Sequence, residues 1–219
     1  MSNDTVNPNT PLPIVVLISG SGSNLQAIID RIADGSINAR ICAVISNKAD
    51  AYGLQRAREA NIPTEVIDHS RFNNRVDFDT ELTRVINQYK PELIVLAGFM
   101  RILTDDFVNH FYGKMINIHP SLLPKYRGLH THRRALEAGD KEHGLSVHFV
   151  SAELDGGPII IQKSVPVLDD DNEESLALRV LKQEHQAYPQ VIQWFAEKRL
   201  QLVNNQVIMD NTPIFPGKL

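Results

Sequence analysis

Three side chains in this sequence have the types and spacing to act together on a substrate. Asn117 and His119 close the run "MINIHPSLLP", and Asp155 sits in "ELDGGPII". Residues two apart on an extended strand point to one face, so the amide and the imidazole project side by side. Pro120 has no N–H to give to a ladder, which places the pair at the C-terminal end of its strand. That edge is where open α/β sheets bind ligands. A carboxylate beside an imidazole orients it and favours its charged form. An amide N–H and an imidazolium form a donor pair for an oxyanion, the requirement of acyl transfer. Ser121 follows a proline and lacks the flanks of a nucleophile elbow, so the nucleophile can belong to a substrate. Two other readings stay open on these residues. One is a satisfied structural His–Asn pair. The other is a metal site recruiting His130 and His132 from "GLHTHRR", for which a third and a fourth ligand are missing.

A second stretch points to an anion. "VVLISGSGSNLQAIID" reads as a buried strand, a Gly/Ser loop and a helix. Gly20 and Gly22 permit close backbone approach, and Ser23 and Asn24 put donors at the helix N-terminus, where free N–H groups and the helix dipole favour a phosphate. Leu25 stands where a dinucleotide fingerprint needs its third glycine, and "ISNKAD" carries no acid at the tip of the second strand. No G-K-[ST] follows, so a phosphomonoester fits better than a dinucleotide or ATP. A plain tight turn remains the alternative on this motif alone.

These residues need a scaffold, and the rest of the chain reads as one. Strands are expected over Ile14–Ile18, Ile41–Ile45, Thr64–Ile67, Leu93–Leu96 and Met115–Ile118, apolar on both parities as in a sheet covered on both faces. Helices fill the gaps over Ser23–Ala33, Tyr52–Ala60, Asn74–Gln88, Thr104–His110 and Thr131–Ala138. "LSVHFV" and "PIIIQKSVPV" flank a Gly-Gly turn and predict two extended segments near one edge. A long last helix runs through "EESLALRVLKQEHQAYPQVIQWFAEKRL", capped by Asp171 or Asn172. The class is α/β: an open twisted sheet, mostly parallel, with an antiparallel edge towards the C-terminus and helices on both faces. Residues 1–12 are expected to be a disordered leader, 13–202 a single domain, and 203–219 a tail with a short hairpin around "QVIMD".

Bulk properties narrow the partners. Of 219 residues, 42% are hydrophobic and 22% charged, and the formal net charge is -4, which argues against nucleic acid as the main partner. The single cysteine, Cys42, excludes an internal disulfide and suits a reducing compartment. No run approaches the length needed to span a membrane, and the polar, Pro-rich start has no signal-peptide character. A cytoplasmic protein acting on small molecules is expected. His143, His148 and His185 read as surface or packing residues, and Trp194 and Phe195 as core aromatics.

Taken together, "ISGSGSNLQAIID", "LAGFMRIL", "INIHPSLLPKYRGLHTH" and "HFVSAELDGGPII" resemble the phosphoribosylglycinamide formyltransferases, folate-dependent members of the family that uses 10-formyltetrahydrofolate. The likeness runs from about Ile14 to Leu200, in the same motif order. "NIHPSLLP" followed by "LDGGP" marks the wider family; "SGSGSN" and the "QEH" of the last helix mark this branch. The resemblance implies a Rossmann-like formyltransferase fold, with Asn117, His119 and Asp155 catalytic. It implies that Gly22, Ser23 and Asn24 hold the ribotide phosphate and that Glu184 meets the ribose hydroxyls. Folate binding falls to Met100, Arg101, Ile102 and Leu103, with Asn117 and Arg75. It further implies no metal, no tightly bound cofactor, 10-formyltetrahydrofolate as co-substrate, and compatibility with a homodimer. Arg127 receives no role. The neighbouring alternatives are a 10-formyltetrahydrofolate hydrolase and a non-catalytic ribotide- or folate-binding protein. The hydrolase is expected to carry a further N-terminal domain, a methionyl-tRNA formylase a basic C-terminal one, and an amino-sugar-nucleotide formylase no such phosphate loop.

Overall fold

The computed structural model describes residues 10–214; residues 1–9 of the expected leader and 215–219 of the expected tail lie outside the described residues. In chain order the elements are β1 (Leu12–Ile18), α1 (Ser23–Ala33), β2 (Ala39–Ser46), α2 (Tyr52–Glu59), β3 (Thr64–Val66), α3 (Arg75–Tyr89), β4 (Leu93–Leu96), α4 (Asp105–His110) and β5 (Met115–His119). They continue with α5 (Thr131–Glu137), β6 (Glu142–Phe149), β7 (Ile159–Pro166), α6 (Glu173–Ala196), β8 (Leu200–Val203), β9 (Gln206–Met209) and β10 (Thr212–Pro213). The main sheet has seven strands in the order β3-β2-β1-β4-β5-β6-β7. Pairing is parallel from β3 to β5 and antiparallel from β5 through β6 to β7.

Two apolar layers sandwich this sheet because its strands are hydrophobic on both parities. Ile14, Val16 and Ile18 of β1 pack with Leu25 and Ile28 of α1, Leu54 of α2, and Leu176, Val180 and Val191 of α6. Val15 and Leu17 face the opposite layer with Phe78, Leu82 and Ile86 of α3 and Phe107 of α4. On β5 the same alternation sends Ile116 and Ile118 to the first layer and Met115 to the second. Asn117 and His119 therefore continue the Met115 face, where the apolar side of the strand turns polar at its end.

The last helix fastens the sheet to the site. Asn172 caps it by accepting from Ser175 N at 2.9 Å, while Ser175 Oγ accepts from Asn172 N at 3.0 Å, an arrangement that contributes about 1 kcal/mol. Asp171 instead ion-pairs with Arg179. One turn after Glu184, the buried Tyr188 directs its hydroxyl at Leu96 O (2.8 Å) and Ile116 O (3.1 Å), spanning the ends of β4 and β5. The helix stops at Ala196 and not at Leu200, because Lys198 takes a left-handed conformation (φ +58°) and turns the chain back into β8.

Two expected boundaries move. β1 opens at Leu12, which is buried, so the strand starts inside the stretch read as leader. The hairpin expected in the tail is a three-stranded meander, β8-β9-β10, that straddles residue 202 and puts Leu200, Val207 and Met209 into the first core layer. Among the described residues no helix is long and apolar enough to cross a membrane.

Candidate active site

The strand order reverses between β1 and β4, and the carboxyl end of the sheet at such a point is where open α/β sheets bind ligands. On one side lies the loop entering α1. Gly22 caps this helix at φ +70°, and a Cβ there would stand 2.6 Å from Gly53 Cα at the start of α2. Both the backbone angle and the close approach require glycine. Arg56 of α2 grips the loop by donating to Ser21 O at 2.9 Å and to Gln26 Oε1 at 3.2 Å. Asn24 is buried and donates through Nδ2 to Glu184 Oε2 at 2.7 Å. Its Oδ1 has no hydrogen-bond partner. Burial pushes the Glu184 carboxyl above its ordinary value, with the Asn24 hydrogen bond opposing. The structure thus joins Asn24 and Glu184, 160 residues apart in sequence, beside the N-terminus of α1.

On the other side stand Asn117, His119 and Asp155, which the structure also brings together. His119 Nε2 lies 2.9 Å from Tyr126 O; a carbonyl only accepts, so Nε2 carries a proton. His119 Nδ1 faces Asp155 Oδ2 at 3.4 Å, with the two side chains only 8% and 10% exposed. Both flanking residues are held in left-handed backbone, Tyr126 at φ +56° and Asp155 at φ +47°. Such conformations cost about 1–3 kcal/mol and persist only where surrounding bonds fix them. Here Gly128 N donates to Asp155 Oδ2 at 2.9 Å. Arg134 donates to Arg127 O at 2.7 Å, and Arg127 itself ion-pairs with Glu153.

Asn117 reveals a participant that the sequence reading assigned to packing. Its Nδ2 lies 3.1 Å from His148 Nε2, and His148 Nδ1 lies 2.8 Å from Phe149 O. Since Phe149 O accepts, Nδ1 is protonated and Nε2 is left to accept from the Asn117 amide. His148 is 2% exposed, and burial holds its imidazole below the ordinary value, with the Asp155 carboxylate opposing. The neutral ring fixes which way the amide points and leaves its second N–H free. The register that makes this contact pairs Asn117 directly with His148 across β5 and β6.

The neighbouring loop is built on hydroxyls. Ser121 is fully buried and donates to Lys125 O at 2.6 Å, so its oxygen is structural. Ser146 Oγ donates to Ser121 O and accepts from Leu123 N and Gln162 Nε2. His132 pairs with His143 at 3.1 Å and not with His130, and no group of three or more His, Cys, Asp or Glu stands ready to hold a metal ion among the described residues. Burial, and then the neighbouring His132, push His143 down to about 4 from 6.5. The unfolded chain therefore binds a proton at pH 4–6.5 that the folded chain refuses, and stability is lost as pH falls through that window. The melting temperature is expected to be lower at pH 5 than at pH 7, with a shallower difference in His143→Gln. An equal pH response in the variant would remove His143 as its source.

Between Asp155 and the loop after β4 runs a cleft lined by Leu103, Val108, Asn117, His148, Val150 and Asp155, with Arg101 and Ile102 at its margin. Arg101 lies over the Phe78 ring at 5.6 Å and keeps its Nε buried without a partner. Met100 is 65% exposed and stands outside the lining. Arg75, the first residue of α3, is exposed and stands outside the lining.

The comparisons with known proteins match this architecture. A family model described as formyl transferase matches residues 12–192. A phosphoribosylglycinamide formyltransferase of Escherichia coli (strain K12) is 56% identical over 203 residues, covering 93% of this chain and 96% of that protein. One from Haemophilus influenzae is 52% identical, covering 90% and 93%. The solved phosphoribosylglycinamide formyltransferase of Coxiella burnetii superposes with a TM-score of 0.91 at 56% identity, covering 94% of this chain and 96% of that one. With the family model over residues 12–192 and these relatives matched over nearly their whole length, the chain belongs to the formyl transferase family, in the branch of the phosphoribosylglycinamide formyltransferases.

Proposed function

We propose that this protein transfers the formyl group of 10-formyltetrahydrofolate to the amine of 5-phosphoribosylglycinamide, a step of purine synthesis. The observation that carries this reading is a buried His–Asp couple beside the free N–H of the half-buried Asn117, at the same end of the sheet as an anion-type loop. That combination suits acyl transfer from one bound ligand to a phosphorylated other. The high identity to relatives bearing that name supports it.

In this scheme Gly22, Ser23 and Asn24 receive the phosphate, and Glu184 accepts hydrogen bonds from ribose hydroxyls. The folate's ring system occupies the cleft beside Arg101–Leu103, with Met100 preceding them in the chain and Arg75 facing the outer end of the molecule. The amine nitrogen attacks the formyl carbon, and the carbonyl electron pair moves onto oxygen. The free Asn117 N–H donates to that oxyanion. The proton lost from nitrogen moves to His119 Nδ1, the one ring nitrogen not engaged with a carbonyl, and Asp155 accepts from the resulting N–H. Collapse of the tetrahedral centre breaks the bond to N10, which takes the proton back from His119 Nδ1 as it leaves as tetrahydrofolate. No covalent enzyme intermediate is needed, because the attacking nitrogen comes with the substrate.

The test is an absorbance assay of 10-formyltetrahydrofolate with protein, with and without the ribotide. Deformylation only with the ribotide is expected. Equal deformylation without it would make the protein a hydrolase, and binding of ribotide without turnover would make it a binding protein. A narrower prediction concerns Glu184→Gln, which removes the carboxylate while keeping the side-chain size. Loss of hydrogen bonds to a charged group costs about 1.5–3 kcal/mol, so the ribotide KM is expected to rise roughly 10- to 100-fold with kcat less affected. An unchanged KM would take Glu184 out of the ribotide site.

A further inference from the structure

The reversal of strand order between β1 and β4 separates two chain paths that leave for opposite faces of the sheet. β1 leads into α1, which packs in the first layer, and β4 leads through residues 97–104 into α4 in the second. Loops at such a point normally part company. Here a backbone bond from Ser19 N to Gly98 O and, beyond it, the Ser19 hydroxyl tie them.

Ser19, the residue after β1, continues the Val15 and Leu17 face and is 6% exposed. Its Oγ accepts from Met100 N at 2.8 Å and donates to Asn47 Oδ1 at 2.5 Å. Its own N–H donates to Gly98 O at 3.1 Å. Asn47, beyond the end of β2, is 1% exposed, and its carbonyl accepts from His69 Nδ1 at 2.9 Å. The Ser19 hydroxyl therefore uses its donor towards one fixed anchor and its acceptor towards Met100 in the other loop. The sheet does not require this bond. The ladder between β1 and β4 ends with Leu17 opposite Leu96, followed by Ala97 N donating to Leu17 O, and Met100 lies three residues further on.

We infer that Ser19 is a positioning residue that couples the two substrate sites, passing a shift of the Gly20–Asn24 loop to the backbone of Met100 and the reverse. This deepens the proposed function and rests on its assignment of the first loop to the ribotide and Met100–Leu103 to the folate. The physical link is the cost of abandoning a buried N–H: Met100 N has to follow Ser19 Oγ or lose its acceptor. Coupling of this kind is reciprocal, each ligand changing the other's affinity by one common factor.

The experiment measures the Kd of the ribotide alone and with a saturating folate analogue that cannot release its 10-substituent, then the Kd of the analogue with and without ribotide. In the wild-type protein the two factors are expected to agree and to depart from one by about fivefold or more. In Ser19→Ala both ligands still bind, but the factor falls to within about twofold of one. Asn47→Ala, which leaves the Met100 bond and removes the anchor, gives a smaller reduction and serves if Ser19→Ala does not fold. A hydroxyl that only satisfied a buried N–H would lower stability and both affinities while leaving the factor unchanged, and that result overturns the inference. So does a wild-type factor of one. Failure of the wild-type protein to bind either ligand overturns the site assignment itself, and the coupling with it.

Discussion

Replacing His119 with Ala is expected to lower kcat by about 10²- to 10⁴-fold, the range for losing a positioned acid–base group, while ribotide and folate affinities change little. The residue is buried and sits in the second sheet face without belonging to either apolar cluster, so its removal leaves the packing of β5 in place. Its Nε2–H is committed to Tyr126 O and its Nδ1 faces Asp155. The alanine variant therefore loses both the proton acceptor for the attacking amine and the donor to the departing nitrogen. Asp155→Asn should show a loss in the same range by a different route. Its amide can no longer serve as a carboxylate acceptor for Nδ1–H. Steady-state kinetics with circular dichroism as a fold control decides both. Turnover within threefold of wild type in His119→Ala would remove that residue from the chemistry.

The second large effect is expected at Gly157. An added Cβ would lie 1.8 Å from Phe149 O and 2.9 Å from Phe149 C, so the backbone of β6 has to move. That carbonyl is the acceptor that fixes the His148 tautomer, and His148 in turn orients Asn117. Gly157→Ala thus strikes the oxyanion donor through two intermediaries. A misplacement of about 1 Å can cost 10²-fold in rate, and the overpacking itself costs about 1–3 kcal/mol in stability. Gly156 supplies the control. The nearest atoms to a Cβ there all belong to the Glu153 side chain, which can swing away, and not to backbone. Gly156→Ala is expected to retain most activity and stability. Equal tolerance at both glycines would show that Phe149 O does not carry this constraint.

The contrast between those glycines also marks what could be read from sequence. Strand and helix positions came from local pattern: Leu93–Leu96 and Ser23–Ala33 match residue for residue, because period and turn chemistry act over a few residues. The same-face placement of Asn117 and His119 follows from strand geometry alone, and the approach of Asp155 from the Gly-Gly turn between two extended segments. His148 was not legible in the same way. Its role depends on the antiparallel register that sets it opposite Asn117, a pairing between residues 31 apart. Had "LSVHFV" been laid antiparallel against "MINIH", one register would have put the two side chains in contact. Ser19 and Asn47 were equally hidden, since a serine at a strand end gives no sign of which loop its hydroxyl will reach. The end of α6 was misjudged for a local reason. Lys198 leaves the helix in a left-handed turn without the glycine that normally signals one.

The tyrosine that spans β4 and β5 has a consequence for the order in which the molecule comes into being. Synthesis proceeds from the N-terminal side, and Asn117, His119 and Asp155 have all been made before α6 begins at Glu173. At that stage Leu96 O and Ile116 O still lack the phenol that joins them, and Asn24 lacks its carboxylate. The nascent chain therefore holds the reacting side chains before it holds the wall that grips the ribotide. Glu184 is the last of the proposed ligands to be synthesised, and Tyr188, four residues on, is what ties its helix to the two strand ends.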